Sequence, residues 1–170
     1  YWNNKEETEK VLIDGWLHTG DIGLFENGFL KITDRKKDIL VNAGGDNISP
    51  SRVEAKLDIE PEIAQSMLYG DFKNYLVAVI VPDKDFAINW AKENSKDQNF
   101  ESIVKDEEFK KTINEVINKV NKNLSVIEHV RKFILIDHEF TIENSMMTPS
   151  MKVRRFAVKD KYGDQLENLY

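Results

Sequence analysis

The sequence predicts an α+β fold: a small mixed β-sheet flanked by helices and preceded by a β-hairpin. Three observations lead there. The stretch Leu24-Phe25-Glu26-Asn27-Gly28-Phe29-Leu30-Lys31-Ile32 sets Asn-Gly between apolar flanks, and that pair accepts the positive φ angles of a tight hairpin turn. Residues 63–69 and 75–81 are largely apolar runs joined through Gly70-Asp71-Phe72-Lys73-Asn74, which reads as a second hairpin. Finally, Phe109, Ile113, Val116, Ile117, Val120 and Leu124 recur with the 3.6-residue period of an amphipathic helix.

Along the chain, residues 16–32 carry β signals and the first dozen residues are polar with little core pattern. Five consecutive charges, Asp34-Arg35-Lys36-Lys37-Asp38, then separate the hairpin from Ile39-Leu40-Val41 and the loop Asn42-Ala43-Gly44-Gly45-Asp46-Asn47. Pro50 suits a first helical turn, and Ser51 with Glu54 three residues on reads as a capping box. Val53 and Leu57 share the inner face of that helix, and Pro61 ends it. The run 75–81 is almost wholly apolar, so it is read as a central strand covered on both faces. Residues 83–130 read as mostly helical, with Phe86 and Trp90 on one face and a polar connector at 92–99. A last strand is expected at 133–136 and a short helix at 154–162.

Composition excludes several function classes. The 170 residues are 41% hydrophobic and 32% charged, which fits a globular chain with a real core. There is no cysteine, so disulfides, thiolate metal sites and Cys nucleophiles are ruled out. His18, His129 and His138 lie far apart without ligand-like spacing, and no metal site is expected. A net charge of −6 argues against nucleic-acid binding by bulk electrostatics. The longest apolar run, 76–81, is too short to span a bilayer, no signal peptide is evident, and cytoplasmic residence is the default expectation. The chain opens on Tyr1 rather than Met, which suggests a piece of something longer.

Three stretches carry chemistry. Gly15-Trp16-Leu17-His18-Thr19-Gly20-Asp21 presents a carboxylate after Thr-Gly; a turn stabilised by Asp is the bland explanation, and a ribose diol the ligand a fixed carboxylate would suit. The charged pentapeptide with Gly44-Gly45 is either a solvated turn or a joint whose glycines let backbone approach a ligand. Thr148-Pro149-Ser150-Met151-Lys152-Val153-Arg154-Arg155 reads, taken alone, as a basic helix start.

Taken together, in this order, these stretches resemble the C-terminal part of the adenylate-forming enzymes, the superfamily of acyl-CoA synthetases, luciferases and peptide-synthetase adenylation domains. The resemblance covers residues 2–155, and DGWLHTGDIG, ENGFLKITDRKKDILVNAGGDNISP and MTPSMKVRR look most like long-chain fatty-acid–CoA ligases. It implies that residues 1–36 are the tail of a large N-terminal adenylation domain and residues 37–170 a small mobile C-terminal domain. It also implies an ATP-dependent activation of a fatty acid as acyl-AMP, followed by transfer to CoA, with Mg2+ accompanying ATP and held mainly by the large domain. By motif position Asp21 binds the nucleotide ribose, Arg35 its ribose or phosphate edge, and Lys152 the α-phosphate and substrate carboxylate. Lys37 falls at the hinge, and Gly44 with Gly45 on the pantetheine path.

Two positions depart from the wider pattern. Met151 stands where many relatives have Gly, as the long-chain branch often does, and Asp46 stands where that branch frequently has Glu. The glycine-rich phosphate loop and the acyl pocket lie outside these residues, so the 170 residues alone are expected to be inactive. Fatty acid, ATP, CoA and the large domain are the implied partners, with peripheral membrane contact of the parent left open. The alternatives are an adenylating enzyme with another acceptor, such as a carrier protein, and a non-catalytic interaction domain of the same fold.

Overall fold

In the computed structural model, which describes residues 1–170, the chain divides between Ile39 and Leu40 into two units. The first begins with helix α1 (Lys5–Val11), whose start is capped by Asn4 Oδ1 accepting from the Glu7 amide at 3.0 Å. Glu6 and Glu7 in its first turn and Lys10 in its last suit the helix dipole, which offsets the absence of any buried side chain. The sequence offered little core pattern here, and none is used. Strands β1 (Leu12–Ile13) and β2 (Trp16–Leu17) pair antiparallel.

The expected hairpin follows as β3 (Asp21–Glu26) and β4 (Phe29–Arg35), antiparallel, with Asn27 at φ 52° and Gly28 at φ 83°. Those left-handed angles match the twist of the flanking strands, as Asn-Gly requires. The second strand runs through Arg35, so two of the five clustered charges are strand residues rather than turn residues.

In the second unit, β5 (Leu40–Val41) and β6 (Asn47–Ile48) pair antiparallel and lead into α2 (Pro50–Leu57). The expected capping box shifts by two residues. Ser49 is the N-cap, its Oγ accepting from the Arg52 amide at 3.4 Å, because Pro50 at the first helical position needs no partner for a missing N–H. Glu54, expected to cap, instead accepts from the Leu68 amide at 2.7 Å.

The core is a three-stranded sheet ordered β7 (Ile63–Tyr69), β8 (Leu76–Pro82), β9 (Val130–Leu135). Strand β8 is antiparallel to β7 and parallel to β9, and all seven of its residues are buried, as its apolar run predicted. Alternate residues feed two layers. Leu76, Ala78 and Ile80 pack with α2, α3 (Lys84–Glu93) and α5 (Glu107–Asn121), whereas Val77, Val79 and Val81 pack with α6 (Arg155–Glu167).

The helical segment 83–130 thereby acquires a role that sequence patterning left open. A parallel pair needs a long crossover, and α3, the short α4 (Phe100–Ile103) and α5 supply it. Phe86 and Trp90 place their rings 6.2 and 5.0 Å from that of Phe109, which locks α3 onto α5. Buried Asn121 ends the crossover by exchanging two hydrogen bonds with the backbone of Val130, at 2.9 and 3.0 Å. Helix α6 runs five residues beyond the expected end at 162, since Leu166 still finds the sheet. No helix is long and apolar enough to cross a membrane.

Candidate functional site

Asp21 and Arg35 meet at the open end of the β3–β4 hairpin, with Arg35 Nε 2.9 Å from Asp21 Oδ1. A β-bulge makes this pairing possible. Continued in register from the Asn27-Gly28 turn, Asp21 would oppose Asp34, a like-charge cross-strand pair that is destabilising. The bulge inserts Thr33, so that Ile22 opposes Asp34 and Asp21 opposes Arg35. Gly23 sits at the irregularity, where a Cβ would lie 2.8 Å from the Lys31 carbonyl oxygen, so only glycine fits. The ion pair uses one carboxylate oxygen and one guanidinium nitrogen, and both side chains stay accessible, at 27% and 51%.

Beyond it, the Lys36 amide donates to the Gly20 carbonyl at 2.8 Å and the Asp38 amide to the Arg35 carbonyl at 2.9 Å. Lys37 lies between these bonds, exposed, two residues short of Ile39, where the first unit ends.

Gly44 and Gly45 form the tip of the β5–β6 loop, which Asn42 and Asp46 close. The Asp46 amide donates to Asn42 Oδ1 at 2.9 Å, and Asn42 Nδ2 donates to Asp46 Oδ2 at 3.0 Å. Asp46 accepts that bond with a short carboxylate. Gly45 is at φ 86°, which favours glycine, and the loop is tied down by the Ala43 amide donating to the Lys73 carbonyl at 3.0 Å.

Lys152 sits on a tight loop held by Thr148. The Thr148 amide donates to the Lys152 carbonyl at 2.9 Å and the Lys152 amide to Thr148 Oγ1 at 3.1 Å, flanked by a Met147–Val153 bridge. The Lys152 side chain is exposed. Met151 takes φ 60°, the left-handed conformation that costs a residue with a Cβ about 1–2 kcal/mol. Its side chain is 67% exposed, so little packing is lost on its removal. Met151→Gly is therefore expected to raise stability by about 1 kcal/mol, read as a higher urea midpoint at unchanged slope. A lower midpoint would show that the left-handed turn is not strained.

Sequence reasoning missed what anchors this loop. Arg155 forms a bidentate pair with Glu54, its Nη1 at 2.7 Å from Oε1 and its Nη2 bonded to Oε2. Both side chains are largely buried, so the start of α6 is fixed to α2 and, through the Leu68 amide, to β7. No hydrogen bond joins the Lys152 loop to the Gly44 loop; each is fastened separately to the second unit. Nor is there any cluster of three or more His, Asp or Glu side chains arranged to hold a metal ion.

The Asp21–Arg35 pair belongs to the first unit, and Lys152 and the Gly44 loop to the second. Residues 37–170 match the AMP-binding enzyme C-terminal domain, and the chain belongs to that family. All of the chain aligns with the long-chain fatty-acid–CoA ligase FadD15 of Mycobacterium tuberculosis at 36% identity, and 92% of it with human long-chain fatty-acid–CoA ligase 1 at 35%. The chain spans 29% and 23% of those two relatives. Its fold superimposes along its whole length on the adenylation domain of a carboxylate reductase from Mycobacterium chelonae, with a TM-score of 0.86 at 29% identity over 25% of that chain. The adenylation domain of a carboxylic acid reductase from Segniliparus rugosus, solved with AMP and a carboxylic acid, matches with a TM-score of 0.83 at 28% identity over 26% of its chain.

Proposed function

We propose that this chain is the C-terminal part of an ATP-dependent acyl-CoA synthetase that activates a long-chain fatty acid as acyl-AMP and passes the acyl group to CoA. The alignment of the whole chain with long-chain fatty-acid–CoA ligases carries this reading. Residues 1–36 are assigned to the large adenylation domain and 37–170 to the C-terminal domain. ATP and CoA are the co-substrates, Mg2+ accompanies ATP, and the parent is placed in the cytoplasm.

In this reading Asp21 accepts hydrogen bonds from the ribose diol through the carboxylate oxygen that Arg35 leaves unused. Arg35 keeps its terminal nitrogens for the nucleotide, and its ion pair holds both groups in place beforehand. Lys152 brings an ammonium to the α-phosphate, where negative charge gathers as the carboxylate attacks. Lys37 is the pivot, and Gly44 and Gly45 offer bare backbone to the pantetheine arm. Separately anchored loops let one small domain serve two steps in turn.

The likeness to the A-PCP didomain of a carboxylic acid reductase from Segniliparus rugosus, with a TM-score of 0.77 at 27% identity, supports one competing acceptor, a carrier-protein phosphopantetheine. Full-length protein given ATP and fatty acids of varied length is expected to form thioester on free CoA. Thioester on a phosphopantetheinyl carrier alone would establish the second reading, and thioester on neither would reject both. The 170-residue chain by itself is expected to show no ATP–pyrophosphate exchange above a buffer blank. Exchange above that level would refute the assignment of the adenylation chemistry to a site shared with the large domain.

A further inference from the structure

A cavity of about 300 Å³ opens between α5, β9 and the C-terminal residues, and none of the residues assigned above lines it. Its charge is unlike that of the rest of the molecule. The chain as a whole carries six more acidic than basic side chains, yet this cavity is lined by Lys110, Lys111, Arg131 and Lys132 against the single carboxylate of Glu107. Lys110 and Lys111 project from the first turns of α5, while Arg131 and Lys132 come from the start of β9, so the fold gathers them from two elements.

These cations are also spare. Some lysines and arginines elsewhere are matched to carboxylates, as in Lys96 with Asp106 and Glu108, Lys119 with Glu60, and Arg52 with Glu128. Lys110, Lys111 and Arg131 have no carboxylate oxygen within 4.0 Å. Lys132 is held in position by donating to the Leu169 carbonyl at 2.5 Å, with its ammonium 5.8 Å from the Tyr75 ring centre. Phe133, almost fully buried, and Leu169 supply apolar wall. The four cations are exposed at the mouth, so the field they set up is open to solvent and weakened by salt. Like charges crowded this way repel one another, and an anion relieves that repulsion.

We propose that this cavity binds a phosphate group, with Arg131 presenting its planar fork to two phosphate oxygens and Lys110 and Lys111 completing the charge. The volume suits one or two phosphates with a small attached group and lies at the lower end for ligand sites. The phosphate comes either from a small soluble anion or from an anionic lipid headgroup, and these sources separate experimentally.

The test titrates the 170-residue chain with inorganic pyrophosphate, following backbone amide NMR signals of α5 and β9. In parallel, the chain is co-sedimented with vesicles of phosphatidylcholine alone or mixed with phosphatidylglycerol. The double variant Lys111→Gln, Arg131→Gln serves as the control; both positions are exposed, and its amide spectrum checks its fold. Saturable shifts confined to α5 and β9, weakened at least about tenfold in the variant and by added salt, support the site and assign it to a soluble anion. Sedimentation only with phosphatidylglycerol vesicles, lost in the variant, supports it and assigns it to a headgroup. Arg131→Lys should recover part of either signal, because charge is kept and the fork is lost. Absence of both signals, or signals that persist in the double variant, overturns the proposal.

Discussion

Replacing Lys152 with alanine in the full-length protein is expected to slow acyl-adenylate formation by about 10²–10³-fold while sparing thioester formation from supplied acyl-adenylate. The size is that of removing one positive group from the place proposed for Lys152, beside the phosphoryl group where charge develops in the transition state. The selectivity follows from the loop. Thr148 fixes the Lys152 backbone from both sides, and the Glu54–Arg155 pair fixes the following helix, so the substitution removes an ammonium and leaves the scaffold standing. The side chain is exposed and supports no packing that alanine would forfeit. Pyrophosphate exchange reads the first step, and CoA thioester release from synthetic acyl-adenylate reads the second. Equal losses in both would remove Lys152 from its assigned role.

Lys37→Pro is expected to give the opposite split, with thioester formation down by roughly tenfold or more and adenylate formation near normal. Proline fixes its own φ near −65° and drives the preceding residue, Lys36, toward extended backbone. Both effects fall between the last hairpin hydrogen bond, Lys36 to Gly20, and the start of the second unit at Leu40. With Lys37 as the proposed pivot, the substitution removes one of the two backbone conformations assigned to the joint, and the adenylating arrangement is expected to be the one retained. The same paired assays decide it, and unchanged thioester formation would move the pivot elsewhere.

Much of the architecture was legible because its signals are local. Asn27-Gly28 reports a turn through its own φ preferences, β8 reports its double burial through an unbroken apolar run, and α5 reports its inner face by period. What sequence reasoning missed depends on partners far along the chain. Glu54 looked like a helix cap because its real partners, the Leu68 amide and Arg155, are 14 and 101 residues away. Strands β5 and β6 are two residues each, too short for any alternation to show. The Asp21–Arg35 contact lay between these cases. The turn fixes the hairpin register, but only the bulge at Gly23 converts an Asp–Asp clash into an ion pair, and a glycine in a strand signals that bulge weakly. Family resemblance named both residues without showing that they touch.

The crossover between β8 and β9 has a consequence for how the chain folds. Strand β8 closes on β7 across a short loop, but its other edge must wait until the whole of 83–129 has collapsed. Closing a long loop before its contacts reward it is slow, so the nascent domain passes through a stage with a bare, fully apolar strand edge. Such an edge invites pairing with another chain. In pulse-labelled hydrogen exchange during refolding, amides of β7 are expected to gain protection before those of β9; simultaneous protection would mean that the crossover is already formed when the hairpin closes. Slow, concentration-sensitive refolding would then arise from the wait for the third strand, and co-translational synthesis, which delivers α3 to α5 before β9, leaves that edge open for the same interval.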